Sequence, residues 1–228
     1  MMHLPKMNMH MEDFSKTIIT DMSEEFNKIK KSKCFSAVNR GQRNKSDFYQ
    51  TPYSMTEQLL ECEQFDGNIL EPSCGQGAIS SVLKKHNYRV IENDISNGHN
   101  FLKWTPDMDI DNVVTNPPFS LALEFIRKSK ELYSGKIAML LPLSYLHGQN
   151  RYEQKIFNEL ARLYVFTRYP LLTSKISDDG TYQTGMMVYA WYMFVKGYGS
   201  RPEIHWINNN MHVARKKKND KPIVTNIF

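Results

Sequence analysis

Asn68-Ile-Leu-Glu-Pro-Ser-Cys-Gly-Gln-Gly-Ala-Ile-Ser80 is the stretch that decides the fold. A short apolar run meets a glycine-containing turn and then an apolar pattern of helical spacing, so strand, tight loop and helix are expected in succession. Gly75 and Gly77 carry no Cβ, which lets the loop backbone approach a nucleoside closely. The third glycine of a dinucleotide fingerprint is missing, and Gly-x-Gly alone is weak. Seventeen residues past Gly77, Asp94 follows a second strand pattern at residues 89–92. A carboxylate there is placed to accept from two ribose hydroxyls. An ordinary loop acid satisfies the same pattern.

Outward from this segment, short apolar runs alternate with helical patterns. Strands are expected at residues 68–70, 89–92, 112–115, 136–141, 163–169, 186–195 and 203–207, and helices at 55–64, 78–85, 121–133 and 151–160. Ser54 and Glu57 have the spacing of a capping box for the first of these helices. The alternation predicts an α/β domain with a mostly parallel sheet, becoming antiparallel among the last three strands. A Rossmann-like sheet of this kind receives ligands at the carboxyl ends of its strands.

The second informative stretch is Asn112-Val-Val-Thr-Asn-Pro-Pro-Phe119, a strand ending in two prolines. Proline donates nothing to a ladder and Pro118 forces Pro117 extended, so residues 116–119 form a rigid loop at the strand's carboxyl end. The loop offers a side-chain amide, backbone carbonyls and an aromatic ring. These groups suit a planar exocyclic amine, with oxygens for its two hydrogens and a ring for its base. A proline stop after a core strand, with Phe119 packed inward, is the plainer alternative.

The 228 residues and 41% hydrophobic content suit one large domain. Charged residues make up 23% and mean hydropathy is −0.52; no apolar run reaches the roughly 20 residues of a membrane helix. The N-terminal segment lacks the apolar core of a signal peptide, so a cytoplasmic protein is expected. Cys34, Cys62 and Cys74 form no close pair, which argues against a disulfide framework or zinc knuckle and for a reducing compartment. His86, His99 and His147 are scattered and read as surface or loop histidines rather than metal ligands. Net charge is +5, unevenly spread: residues 26–46 hold seven bases and no acid, and residues 211–228 hold five bases and one acid. The body between is net acidic. Basic flanks on an acidic body fit a polyanion held by peripheral segments, or else solvated tails. The expected organisation is a basic, partly helical N-terminal appendage over residues 1–46, a catalytic domain over 47–207 and a basic tail over 208–228.

The ordered set Asp47-Phe-Tyr-Gln-Thr-Pro52, Glu71-Pro-Ser-Cys-Gly-Gln-Gly77, Asp94 and Thr115-Asn-Pro-Pro-Phe119 resembles S-adenosylmethionine-dependent adenine-N6 DNA methyltransferases of the gamma arrangement. Compact enzymes of this type are frequent in phages and mobile elements. The resemblance spans residues 47–207 and implies a Rossmann-like class I methyltransferase fold, a mostly parallel seven-stranded sheet with an antiparallel end. It implies S-adenosylmethionine as cofactor, with Tyr49, Thr51 and Pro52 over its methionine part. Glu71, Gly75 and Gly77 would carry its amino-acid moiety, Glu71 facing the ammonium, and Asp94 would hold the ribose. Asn100 and Phe101 fall where the family has Asp-Phe at the cofactor's adenine. Asn100 is a departure, and an amide there implies retained but weaker binding. Asn116, Pro117, Pro118 and Phe119 match the catalytic loop. The Asn116 side-chain oxygen and the Pro117 carbonyl would accept from the flipped adenine's amine, with Phe119 stacked on the base and Asn116 also near the cofactor. No metal is implied.

Relatives with strong sequence preference add a recognition domain, whereas only about twenty residues follow Ile207 here. Weak or short-sequence specificity is therefore expected, with site choice from residues 144–154 and 171–185, the N-terminal appendage or a partner subunit. Tyr145, Tyr152, Tyr169 and Tyr182 are candidates to stack unpaired bases, though tyrosines at that frequency are more often structural, and Lys216, Lys217 and Lys218 are candidates to touch phosphate, with a solvated tail as the alternative. RNA adenine-N6 and DNA cytosine-N4 present the same kind of amine and stay open as targets. A related Asn-Pro-Pro loop, usually ending in tyrosine, methylates glutamine amides in proteins. A silent nucleic-acid-binding subunit of a methyltransferase complex is the alternative from another class.

Overall fold

A computed structural model describes residues 50–168 and 187–209. The chain orders α1 (Tyr53–Cys62), β1 (Asn68–Glu71), α2 (Ala78–Lys85), β2 (Arg89–Glu92), β3 (Ile110–Thr115), α3 (Ala122–Leu132), β4 (Tyr133–Pro142), α4 (Gln149–Glu153), β5 (Leu160–Phe166), β6 (Tyr189–Val195) and β7 (Glu203–Ile207). The seven strands form one sheet in the order β2-β1-β3-β4-β6-β5-β7. Only β6 is antiparallel to its neighbours, β4 and β5; the remaining pairs are all parallel. The expected Rossmann-like, mostly parallel seven-stranded sheet is therefore present, with its reversal confined to one internal strand.

The alternation of side chains explains how the sheet is covered. Val114, Ala138, Leu140, Trp191 and Met193 point to one face and pack with Met55 and Leu59 of α1 and Ile79 and Leu83 of α2. Val113, Ile137, Met139, Tyr192 and Phe194 point to the other and pack with Phe125 and Ile126 of α3. A strand covered on both faces has no polar side, which is why β6 reads Tyr-Ala-Trp-Tyr-Met-Phe-Val without alternation. The polar tips of its large rings find partners: Trp191 Nε1 donates to the Met55 carbonyl at 3.0 Å and Tyr192 Oη to that of Pro142 at 3.0 Å.

Several local expectations are corrected. Helix α1 starts at Tyr53 with Pro52 as its N-cap, and no side chain caps it. Ser54 lies buried inside the first turn, so the capping box does not form. Proline at the cap sets the helix entry angle through its fixed φ instead. The helix expected at residues 151–160 is the five-residue α4 followed by turns, since Lys155 and Glu159 both adopt positive φ. Strand β5 begins at Leu160, earlier than expected. The N-terminal appendage, the basic tail, Tyr49, Tyr169, Tyr182 and the Lys216–Lys218 run lie outside the described residues.

Glu63, just past α1, is buried and accepts from Lys136 Nζ at 2.8 Å, Arg162 Nε at 2.5 Å and Tyr164 Oη at 2.8 Å. This network fastens the end of α1 to β4 and β5. Burial raises the Glu63 pKa, but the bonds from Arg162, Lys136 and Tyr164 outweigh it and hold the carboxyl below its ordinary range.

Candidate active site

In the sheet order, β1 lies between β2 on one side and β3 on the other, so the direction in which successive strands are added reverses at β1. The crevice outside the carboxyl ends of strands at such a switch is where this architecture accommodates ligands. A cavity of about 510 Å³ opens there, lined by residues from the loops after β1, β2 and β3 and by the segment ahead of α1. Its size lies in the range of small-molecule sites.

The loop after β1 is shaped by two glycines. Gly75 and Gly77 have φ of 52° and 76°, a left-handed region costly for residues with a Cβ. The left-handed turn at Gly77 starts α2 directly, and Gly77 N donates back to the Cys74 carbonyl at 2.7 Å. Cys74 N in turn donates to the Asn93 carbonyl at 3.1 Å, and Asn93 N to the Glu71 carbonyl at 3.0 Å. The loops after β1 and β2 are thus laced together by backbone bonds.

Glu71 ends β1 and is 1% exposed. Its carboxyl accepts from Ser80 Oγ, and the cavity wall includes it. Burial pushes its pKa up to about 8; the Ser80 bonds and Lys84 oppose this, and Glu92 adds to it. Asp94 is held differently. Its Oδ1 accepts from Ser96 N at 2.8 Å and Ser96 Oγ at 2.6 Å, and its Oδ2 from Gly75 N at 2.8 Å. Burial raises its pKa, but the bonds from Ser96 and Gly75 prevail and keep it below the usual carboxylate range. The two acids at one cavity therefore differ in protonation, Glu71 retaining its proton near neutrality and Asp94 ionised.

At the end of β3, Asn116 Nδ2 donates to Thr51 Oγ1 at 3.1 Å. The Asn116 carbonyl accepts from Ser73 Oγ at 3.2 Å, and Ser73 Oγ and Thr115 Oγ1 are 2.8 Å apart. Pro117 and Pro118 line the cavity after it. Asn100 caps a short 3-10 turn, accepting from Leu102 N at 3.1 Å, and Phe101 packs on Phe125 with ring centroids 5.0 Å apart. Both line the cavity.

Of the positions singled out in the sequence, Thr51, Glu71, Gly75, Asp94, Asn100, Phe101, Asn116, Pro117 and Pro118 surround this one cavity. Pro52, Gly77 and Phe119 are not among its lining residues. Phe119 is half-buried with its ring 5.9 Å from that of Tyr189. Tyr145 lies beneath Arg151, whose guanidinium is 4.3 Å from the ring centroid, while Tyr152 is 78% exposed. Cavity residues to which the sequence reading gave no role include Ser73, Ser96 and Phe125, and His99, read there as a surface or loop histidine, lines the cavity as well. For Ser96 a signal existed, since a serine two residues past an aspartate is set to donate back to it. His99 had none. Among the described residues no group of three or more His, Cys, Asp or Glu side chains is arranged to hold a metal, and no helix is long and apolar enough to cross a membrane.

Among solved structures, the chain is similar to a protein from Vibrio vulnificus described as a modification subunit of a type I restriction enzyme. The two are 13% identical with a TM-score of 0.49, over 83% of this chain and 52% of the other. It is similar to a type I restriction-modification system methyltransferase subunit from Streptococcus thermophilus at 11% identity and a TM-score of 0.49, over 74% and 49%. A TehB-like SAM-dependent methyltransferase from Corynebacterium glutamicum is 11% identical with a TM-score of 0.41, over 77% and 98%. The chain spans about half the length of the first two proteins. No family model and no curated protein matches it.

Proposed function

We propose that this chain transfers a methyl group from S-adenosylmethionine to the exocyclic N6 amine of adenine in DNA. The observation that carries the reading is the meeting of two chemistries at one cavity. A glycine loop with two carboxylates forms one side, and the rigid Asn116-Pro-Pro loop forms the other.

The residues fit that cofactor. Among the described residues no lysine or arginine lines the cavity, while Glu71 and Asp94 do. Glu71 is buried with a hydroxyl as its bonding partner and, among the described residues, no ion pair, so a ligand ammonium would supply the counter-charge that favours its ionised form. Asp94, already ionised, has three of about four acceptor positions filled by Ser96 and Gly75, which leaves about one for a ribose hydroxyl. Phe101, backed by Phe125, offers an apolar wall for an adenine ring. When bound, S-adenosylmethionine supplies an electrophilic methyl on a sulfonium centre.

The catalytic work assigned to the protein is orientation. Asn116 and Pro117 present a side-chain and a main-chain oxygen to the amine's hydrogens, drawing its lone pair out of ring conjugation and toward the methyl donor. Pro117 and Pro118 keep these oxygens from moving because their φ angles are locked. The exposed part of the Phe119 ring, backed by Tyr189, provides a surface on which the extruded base stacks. Holding amine and methyl donor in line supplies much of the acceleration. The basic segments of the chain favour nucleic acid over a protein amide as acceptor.

The test is transfer of labelled methyl to duplex DNA, single-stranded DNA, RNA and protein in parallel, with nucleoside analysis of the product. N6-methyladenine in DNA is the expected outcome. N4-methylcytosine, or label in RNA or protein alone, would replace the proposed target. Cofactor binding with no transfer to any acceptor would reassign the chain as a silent subunit.

A further inference from the structure

We propose that the outer edge of β7 is an interface between two copies of this chain, joined as antiparallel strands about a two-fold axis at Ile204. β7 is the last strand of the sheet, and its inner edge pairs in parallel with β5. Thr167 N donates to the Ile207 carbonyl at 3.0 Å, so the main-chain groups of Ile207 face β5. Alternation then turns those of Ile204 and Trp206 to the outer side, where among the described residues no strand meets them. A row of unpaired donors and acceptors is a template for another strand, and β7 carries neither the lysine nor the proline that blunts such an edge. Ile204 is 54% exposed and Trp206 70%, both on one face of the strand. A tryptophan and an isoleucine left in water side by side on an open edge mark a contact surface.

Charge complementarity names the occupant and the register. Glu203 and His205 lie on the other face of β7, with His205 Nε2 and Glu203 Oε2 3.0 Å apart and the His205 ring centroid 5.4 Å from that of Tyr164. Pairing about Ile204 puts Glu203 directly opposite His205 of the second copy, and does so twice. Each carboxylate then lies between two imidazoles, one on its own strand and one across the ladder. On the apolar face Ile204 meets Ile204 at the axis, and at each end Trp206 meets Pro202, whose carbonyl is able to take the Trp206 N–H. Moving the axis to His205 sets two histidines opposite each other and removes both acid–base pairs, so the strand's own sequence selects the first register. The same patch on both copies closes the assembly at two. A five-residue edge makes a small contact, so exchange between monomer and dimer is expected at micromolar concentration.

The test is analytical ultracentrifugation of the full chain across the micromolar range, where a reversible monomer–dimer equilibrium is expected. Ile204→Lys sets like charges opposite each other on the axis and should raise the dimer Kd by about 100-fold or more. Its far-UV circular dichroism should stay the same, because the Ile204 side chain lies mostly outside the core. Glu203→Lys should weaken the dimer by about 10-fold, and adding His205→Glu to the same chain should restore it, since the two exchanges rebuild both cross-strand pairs. A merely structural defect would not be rescued in this way. A monomer at every concentration overturns the proposal; if duplex DNA then shields Trp206 from a fluorescence quencher, the patch belongs to nucleic acid instead. A dimer that survives Ile204→Lys places the contact elsewhere and overturns the proposal too. Failure of the double exchange to restore the dimer overturns the register, and with it the choice of a second copy as the occupant. None of these outcomes depends on methyl transfer.

Discussion

Gly75 N donates to Asp94 Oδ2 at 2.8 Å, so the glycine loop after β1 and the acid after β2 are one unit. The carboxylate proposed to hold a ribose also fixes the curvature of the loop proposed to hold the amino-acid part. Ser96 completes the unit from the other oxygen.

Asp94→Ala should accordingly weaken cofactor binding by roughly 1 to 3 kcal/mol, since it removes charge-assisted bonds and loosens the loop. Isothermal titration reads this directly. Unchanged affinity would take Asp94 out of the ligand site.

Asn116→Ala should lower kcat by about 10²-fold or more, as expected for loss of a preorganised group that acts on the transition state. Cofactor affinity should stay the same. Equal loss of binding and turnover would show that Asn116 serves the cofactor instead.

Glu71 makes ligand-free stability depend on pH with a definite sign. Its folded pKa of about 8 lies above the ordinary glutamate value of about 4.3, so between these values the unfolded chain is ionised where the folded one is protonated. Stability contributed by Glu71 is full below the lower value and lost as pH rises through this window. Glu71→Gln, which stays neutral and still accepts from Ser80, should remove the slope and raise stability at pH 7 by roughly 1 to 3 kcal/mol. Melting temperatures across the window, without cofactor, decide the matter; an identical profile in both proteins would refute it.

Glu63 has the opposite sign. Its pKa is lowered in the folded state, so its contribution is present above the unfolded glutamate value and lost as pH falls through the folded one. Glu63→Ala leaves Lys136, Arg162 and Tyr164 without their shared acceptor and should cost about 3 to 5 kcal/mol at neutral pH. Urea denaturation at neutral and acid pH should show the gap between the two proteins closing in acid.

Gly77→Ala tests backbone geometry alone. A Cβ at this position would come no closer than 3.8 Å to Glu92, so the cost comes from the φ of 76° and should be about 1 to 2 kcal/mol. A melting temperature unchanged by the substitution would mean that the loop adopts another conformation.

All seven strands are legible in the sequence as short runs rich in apolar or β-branched residues, and the mixed edge runs at residues 89–92 and 203–207 are placed to the residue. The start of α1 is not legible because the Ser54 and Glu57 spacing is a local pattern, while the burial of Ser54 is decided by distant residues. The glycine loop and the Asn116-Pro-Pro loop stand out because each carries a rare local feature, a missing Cβ or a missing N–H, and Asp94 because it follows the second strand pattern. Thr51, Ser73 and Glu63 carry no such mark for the roles described here. Their partners lie 65, 43 and 73 or more residues away, and such pairings leave no periodic trace.

The sequence by itself determined which segments are strands, where the backbone must turn without a Cβ and where the prolines stop a strand, since hard-sphere sterics and side-chain period act within a few residues. Only the tertiary structure decided that β6 inserts between β4 and β5, that Glu71 loses its solvent and holds its proton, and that Thr51 faces Asn116. Each of these depends on which surfaces are removed from water together, and that is a property of the packed sheet rather than of any one stretch of chain.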